Sequence, residues 1–426
     1  MNLLGILILT ALIFEFALHR LSEALNLKSA SAEVPDAFKD LYDSQRYARA
    51  QDYLKMRTRF AWFSSSVFLA ATLAFWLGGG FGLLDDGVRS LGHGPIPSGL
   101  IYVGVLLLGR SILAVLFQAY YVFVIEERFG FNRTDLKTFV ADRVKALVVS
   151  VLIGAPLLAG VLALFEYAGS QAWLYAWALA VFFTTAIQFV APRFILPLFN
   201  KFTPLDEGEL RAAIFRYARS IQFPLEKVFV MDGSRRSTKS NAFFTGFGKH
   251  QRIALFDTLI RAHTIPELVA ILAHETGHFR KKHVLQNLAF EAVHSGLLFF
   301  AFPLVLRSPI FFDAFLVGQS SVYAGLVLFS LLLRPFDLLL GILLNIVSRA
   351  HEREADRFAV ETTDDRGALV SALKKLSADN LSNLSPHPLH VVLSYSHPPI
   401  QQRIRAIEDI PAASSAARIG SFVNLK

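Results

Sequence analysis

The run His274-Glu275-Thr276-Gly277-His278 carries the chemistry most readable in this chain. On a helix, histidines four residues apart leave the same face. Both imidazoles can then bind one Zn²⁺, while the carboxylate between them reaches a water as general base. The surrounding sequence favours that helix: Leu268, Ile271 and Leu272 precede the motif without a breaker, and Pro266 stands where a first turn starts. The plainer alternative, a half-buried helix that merely carries two histidines, is the weaker reading of so specific a pattern, but the metal reading needs a third ligand. The chain has no cysteine, so that ligand must offer nitrogen or oxygen.

The elements that must position such a site belong to a membrane protein. Hydrophobic residues make up 54% of the 426 residues and charged ones only 18%. Seven stretches (3–18, 60–83, 100–124, 146–165, 172–195, 285–306 and 322–347) approach or exceed the roughly 18–20 apolar residues that cross a bilayer. The first lacks a basic lead and carries Glu15, so it is expected to be a retained helix rather than a signal peptide. A net charge of +8 invites a nucleic-acid partner, but its distribution argues otherwise. Lys and Arg gather in 19–59, 125–145, 193–284 and after 348, whereas the alternate loops hold Arg89, no basic residue, and Arg307. The positive-inside rule then places the N-terminus outside and the C-terminus and the motif in the cytoplasm. The basic residues read as topology signals and lipid-headgroup contacts, and no nucleic-acid partner is expected.

This topology narrows the search for a third ligand. Spans six and seven form a hairpin that returns the chain to the motif's side near Ser348, where His351, Glu352, Glu354 and Asp356 follow. Glu352 is of a type that zinc accepts as third protein ligand, leaving one position for water. Asp356, one turn on, can orient a ligating imidazole. Spacing alone leaves His351 and Glu354 as competitors.

With these pieces in place the chain resembles the CAAX prenyl protease 1 family, integral-membrane zinc endopeptidases of the endoplasmic reticulum that also occur in bacteria. The matching stretches are Leu198-Phe-Asn-Lys-Phe-Thr-Pro-Leu, Val230-Met-Asp-Gly-Ser, Ser240-Asn-Ala-Phe-Phe-Thr-Gly-Phe-Gly-Lys, Ala273-His-Glu-Thr-Gly-His-Phe, Ser348-Arg-x-x-Glu-x-x-Ala-Asp and Tyr395-Ser-His-Pro-Pro. The resemblance implies one Zn²⁺ on His274, His278 and Glu352, with Glu275 as catalytic base and Asp356 behind the ligands. It further implies that His397 and Arg403 contact substrate near the metal and stabilise the oxyanion, and that Asn241 binds substrate. A large intramembrane chamber capped by the protease domain is implied too.

The expected fold is predominantly α: a polytopic membrane protein of seven transmembrane helices, a hollow bundle by resemblance, with a gluzincin-like α+β zinc protease domain on the cytoplasmic face. Residues 1–192 would hold spans one to five, 193–284 the protease insert, 285–347 spans six and seven, 348–410 the C-terminal helical part, and 411–426 a disordered tail. Within the insert, 227–231, 241–245 and 252–256 read as strands, separated by Asp232-Gly233-Ser234 and by Gly246 and Gly248. A strand edge beside the motif helix can accept an extended peptide as one more strand. Glu15, Arg110, Glu291, His294, Arg334 and Asp337 lie within spans and suit a bundle interior. Arg334 and Asp337, three apart, are placed to pair with each other.

The function expected is zinc-dependent cleavage of a peptide or protein near its C-terminus, CAAX-type prenylated substrates included. A broad membrane-protein quality-control protease and an inactive transporter or scaffold are the alternatives. Nothing in the sequence marks a prenyl pocket, and the reading leans toward a bacterial inner membrane.

Overall fold

The computed structural model describes residues 1–30, 33–245 and 251–411; Gly246, Gly248 and the tail 412–426 lie outside the described residues. Among the described residues, seven helices are long and apolar enough to cross a membrane: Leu3–Lys28, Ser44–Leu77, Pro95–Glu126, Leu136–Tyr167, Gly169–Phe199, His283–Leu306 and Val322–Thr363. Each expected span falls on one of them. The second ends early, because Gly78 closes the helix and Gly79 turns left-handed at φ 73°, starting a separate helix, Gly80–Arg89. The seventh runs on without interruption past the expected span, so residues 348–363 extend the same rod.

Burial within these helices is confined to their ends. Ser44–Leu77 buries Tyr47 to Thr58 and then Trp76, with nothing buried over 59–75. The same gap recurs over 103–124, 140–160, 284–301 and 330–350. At one end Trp76, Phe81, Tyr102, Phe302, Phe315 and Tyr323 form a core. At the other, Tyr47, Tyr53, Ile125 and Phe129 pack with Leu381, Leu384 and Ile404. Between these two cores the spans carry only half-buried and exposed side chains, the pattern of long helices whose apolar faces are turned to lipid or to one another without tight packing. Polar residues in that zone pair across helices: Arg334 Nη2 lies 3.1 Å from Glu15 Oε1, and His294 Nε2 3.8 Å from Asp337 Oδ1. Arg334 and Asp337 therefore do not pair with each other, since each finds a partner on a neighbouring helix.

The segment between the fifth and sixth spans contains a four-stranded sheet ordered β1-β2-β4-β3, with β1 at Phe202–Pro204, β2 at Leu225–Met231, β3 at Ala242–Thr245 and β4 at Gln251–Phe256. β2 and β4 run parallel, and the other pairs antiparallel. β2 to β4 match the expected strands, although Asn241 stands just before β3 rather than at its head. β1 was not expected; three residues are too few to show a period of two. Ile253 and Leu255 of β4 pack with Leu268 and Leu272 of the helix Ile265–Arg280 and with Leu369 and Leu373 of the helix Arg366–Asp379.

The helix Ile265–Arg280 carries the two histidines, and a capping box fixes its start. The Thr264 side chain accepts from the backbone three residues on, and Glu267 Oε2 accepts from the Thr264 N–H at 2.8 Å. Lys375 and Ser371 of the neighbouring helix donate to the same carboxylate. Burial alone would raise the Glu267 carboxyl, but the Lys375 and Ser371 hydrogen bonds outweigh it and hold the group at about 2, below its ordinary 4.5. A depressed carboxyl contributes stability above its unfolded pKa and loses it as pH falls toward the folded value. Thermal unfolding should therefore show the intact protein losing stability between about pH 4.5 and 2, and Glu267→Gln, less stable at neutral pH, losing less over that window.

Candidate active site

Three helices deliver the site. His274 and His278 leave one face of Ile265–Arg280. Glu352 and Asp356 leave one face of Val322–Thr363. Arg403 comes from Ile400–Glu408, which starts directly after Pro398 and Pro399. The first two helices cross in contact at Gly277, where an added Cβ would stand 3.0 Å from Ala355 Cα and 3.2 Å from both the Ala355 oxygen and Phe358 Cβ. Any larger residue there would have to push the backbone of Ala355 back by a few tenths of an ångström, so glycine sets the close approach that brings the two histidines to Glu352.

His274 Nε2 and His278 Nε2 lie 3.2 Å apart. His278 Nε2 is 3.3 Å from Glu352 Oε1, and His274 Nε2 is 3.5 Å from Glu352 Oε2. Neighbouring ligand atoms of a tetrahedral site with bonds of about 2.0–2.1 Å stand about 3.3 Å apart, so the cluster has the spacing such a site needs. Glu352 Oε2 is buried without a hydrogen-bond partner among the described residues. Two imidazole nitrogens and a carboxylate oxygen that has an ion-pair neighbour in Arg403 but no hydrogen bond form a donor set that fits Zn²⁺.

The groups behind these three donors fix their orientation. His274 Nδ1 donates to Asp356 Oδ1 at 2.8 Å, which leaves the Nε2 lone pair facing His278 and Glu352. Arg403 grips the same carboxylate with two donors, Nε to Oδ2 at 2.9 Å and Nη2 to Oδ1 at 2.6 Å, and its Nη1 lies 3.3 Å from Glu352 Oε2. This guanidinium is 9% exposed and committed to two buried carboxylates. His397 sits at the mouth, its side chain 63% exposed, with Nε2 3.2 Å from Glu352 Oε1. Its loop is held by Arg349, which donates to the Tyr395 carbonyl at 2.6 Å.

Glu275, Asn241, Ala242, His397 and Arg403 line one cleft of about 260 Å³ together with His274, His278 and Glu352, walled by Leu369, Leu373 and Leu376. Burial raises the Glu275 carboxyl above its ordinary value, opposed by the charges of His274 and His278. Asn241 closes its Oδ1 on the Ala242 N–H and presents itself beside β3, an edge strand of the sheet.

All eight residues singled out from the sequence thus gather at one place, Asp356 just behind the cleft. His351 and Glu354, the rival ligands, turn elsewhere: both meet His283, a residue the sequence reading passed over. Its position five residues after His278, in the first turn of the next helix, was the available signal. Gly277 was missed as well, because a glycine inside H-E-x-x-H reads as a filler until a second helix is laid on it.

Comparison with known proteins adds the following. Residues 23–201 match the family model described as the CAAX prenyl protease N-terminal region with five membrane helices, and residues 204–411 match peptidase family M48. The CAAX prenyl protease 1 of Saccharomyces cerevisiae is 31% identical over 411 residues, covering 89% of this chain and 90% of that protein. A CAAX prenyl protease 1 homolog of Arabidopsis thaliana is 40% identical over 296 residues, covering 68% and 69%. The crystal structure of S. mikatae Ste24p superposes with a TM-score of 0.90 at 30% identity, covering 96% of this chain and 100% of that one.

The crossing at Gly277 yields a direct test. Gly277→Val should cost about 1–3 kcal/mol through overpacking and push the histidines away from Glu352. Thermal unfolding and metal stoichiometry of the purified variant would check this, with metal retention falling even where the fold survives.

Proposed function

The chain belongs to the CAAX prenyl protease 1 family of membrane metalloproteases, and from that premise we propose that it is a zinc endopeptidase whose ion is held by His274, His278 and Glu352. The observation that carries the assignment is the convergence of these three donors, with Glu352 Oε2 left without a hydrogen bond, beside the half-buried Glu275. Zn²⁺ bound there supplies Lewis acidity that polarises a peptide carbonyl and acidifies a water. Glu275 takes the proton of the attacking water and passes it to the leaving amine. His397, open to the cleft, donates to the oxyanion that develops. Arg403 serves that chemistry by fixing Asp356 and Glu352, and through Asp356 the ring of His274.

The substrate proposed is an extended peptide lying along the β3 edge, its backbone met by Asn241 and an apolar side chain received by Leu369, Leu373 and Leu376. The names of the relatives favour a prenylated C-terminus, and the hollow bundle that the family resemblance implies would offer room for an apolar chain beneath the cleft. The lipid bilayer is the remaining partner. The charge alternation supports a cytoplasmic site and C-terminus with the N-terminus outside. Residence in a bacterial inner membrane stays a proposal on the sequence alone, and the relatives named above, all eukaryotic, lend it no support.

Glu275→Gln separates this mechanism from an inactive scaffold. It should bind Zn²⁺ with the stoichiometry of the intact protein while peptide cleavage falls by about 10²–10⁴-fold. Cleavage at the unaltered rate would contradict the mechanism.

A further inference from the structure

His274 is oriented through its second nitrogen by Asp356, and the structure shows a different arrangement behind His278. His278 Nδ1 lies 3.0 Å from His283 Nδ1, and His283 Nε2 lies 3.3 Å from Glu354 Oε2. His283 is 2% exposed. Its ring stacks on His351 at 3.9 Å with an 8° interplanar angle, and His351 Nε2 is in turn 2.8 Å from Gln286 Oε1. Lys282, left-handed at φ 59°, turns the chain between the motif helix and the helix His283–Leu306, and this turn brings His283 back beneath His278.

Hydrogen placement in this chain admits one solution once a metal ion is bound at His278 Nε2. The ring's lone pair must lie on Nε2, so the neutral ring carries its hydrogen on Nδ1 and needs an acceptor there. The acceptor in place is His283 Nδ1. The hydrogen of His283 then lies on Nε2, where the Glu354 carboxylate receives it. Every donor in the sequence His278, His283, Glu354 meets an acceptor, and the reverse arrangement would occupy His278 Nε2.

We infer that His283 is a positioning residue for His278: it accepts the His278 Nδ1–H, aims Nε2 at Glu352 and His274, and is itself held by Glu354 and by stacking on His351. The two ligand histidines are therefore set by different means, one by a carboxylate locked under an arginine, the other by a second imidazole. Because His283 opens the helix His283–Leu306, the orientation of a membrane span is tied to that of a ligand. The residues that compete with Glu352 in sequence thereby acquire a place: His351 and Glu354 hold the ring behind His278.

The inference rests on the metal assignment above, and its test uses the full chain purified in detergent with Zn²⁺ as probe. Affinity is read by competition with a chromophoric chelator, and melting of the metal-free protein is followed in parallel. His283→Ala should weaken Zn²⁺ by roughly 10–100-fold, as loss of a group that orients a ligand does. His283→Asn keeps an acceptor at the Nδ1 position and should restore most of that affinity, even if both variants melt alike without metal. Unchanged affinity in His283→Ala, or an Asn variant as weak as the Ala variant, would overturn the inference while leaving the metal assignment standing. Failure of the intact protein to bind Zn²⁺ would overturn both.

Discussion

Everything functional in this molecule depends on how closely two helices can cross. His274 and His278 belong to a helix capped within the protease unit, whereas Glu352 stands on the extension of the seventh membrane span. Neither helix holds a complete ligand set. Contact of Gly277 with the backbone of Ala355 brings the three donors within 4.8 Å of one another. The close-packed interior makes such a contact behave as a fixed joint rather than a soft one. The site is thus built at a seam between the soluble unit and the membrane bundle.

Holding charged groups at that seam requires each to be matched. Arg403 is buried only because Asp356 takes two of its donors and Glu352 lies near a third. Uncompensated, any of these charges would be expensive to bury. The same logic orders the membrane region, where Arg334 finds Glu15 and His294 finds Asp337 across helix boundaries. Pairing each charge with an opposite one on a neighbouring helix is what lets such residues stand within membrane spans.

Much of this was legible in the sequence. The spacing of His274 and His278 declared a shared helical face, and apolar runs declared the spans. Charge alternation brought Ser348 back to the motif's side, and resemblance selected Glu352 from its neighbours. What could not be read was three-dimensional contact. Arg334 and Asp337 look like partners at three residues' separation, yet the facing helices offer each a better one. β1 is too short to show a strand's alternation, and Asn241 misses β3 by one residue. The glycine at 277 and the imidazole at 283 have meaning only once the second helix and the turn at Lys282 are laid down.

The central claim is that one metal ion is bound by His274, His278 and Glu352. Anomalous diffraction at the zinc absorption edge from crystals of the intact protein tests it most directly. The account predicts a single strong peak about 2.0–2.2 Å from His274 Nε2, His278 Nε2 and a carboxylate oxygen of Glu352. A peak centred on His283, His351 and Glu354, or no peak in zinc-saturated crystals, would contradict it.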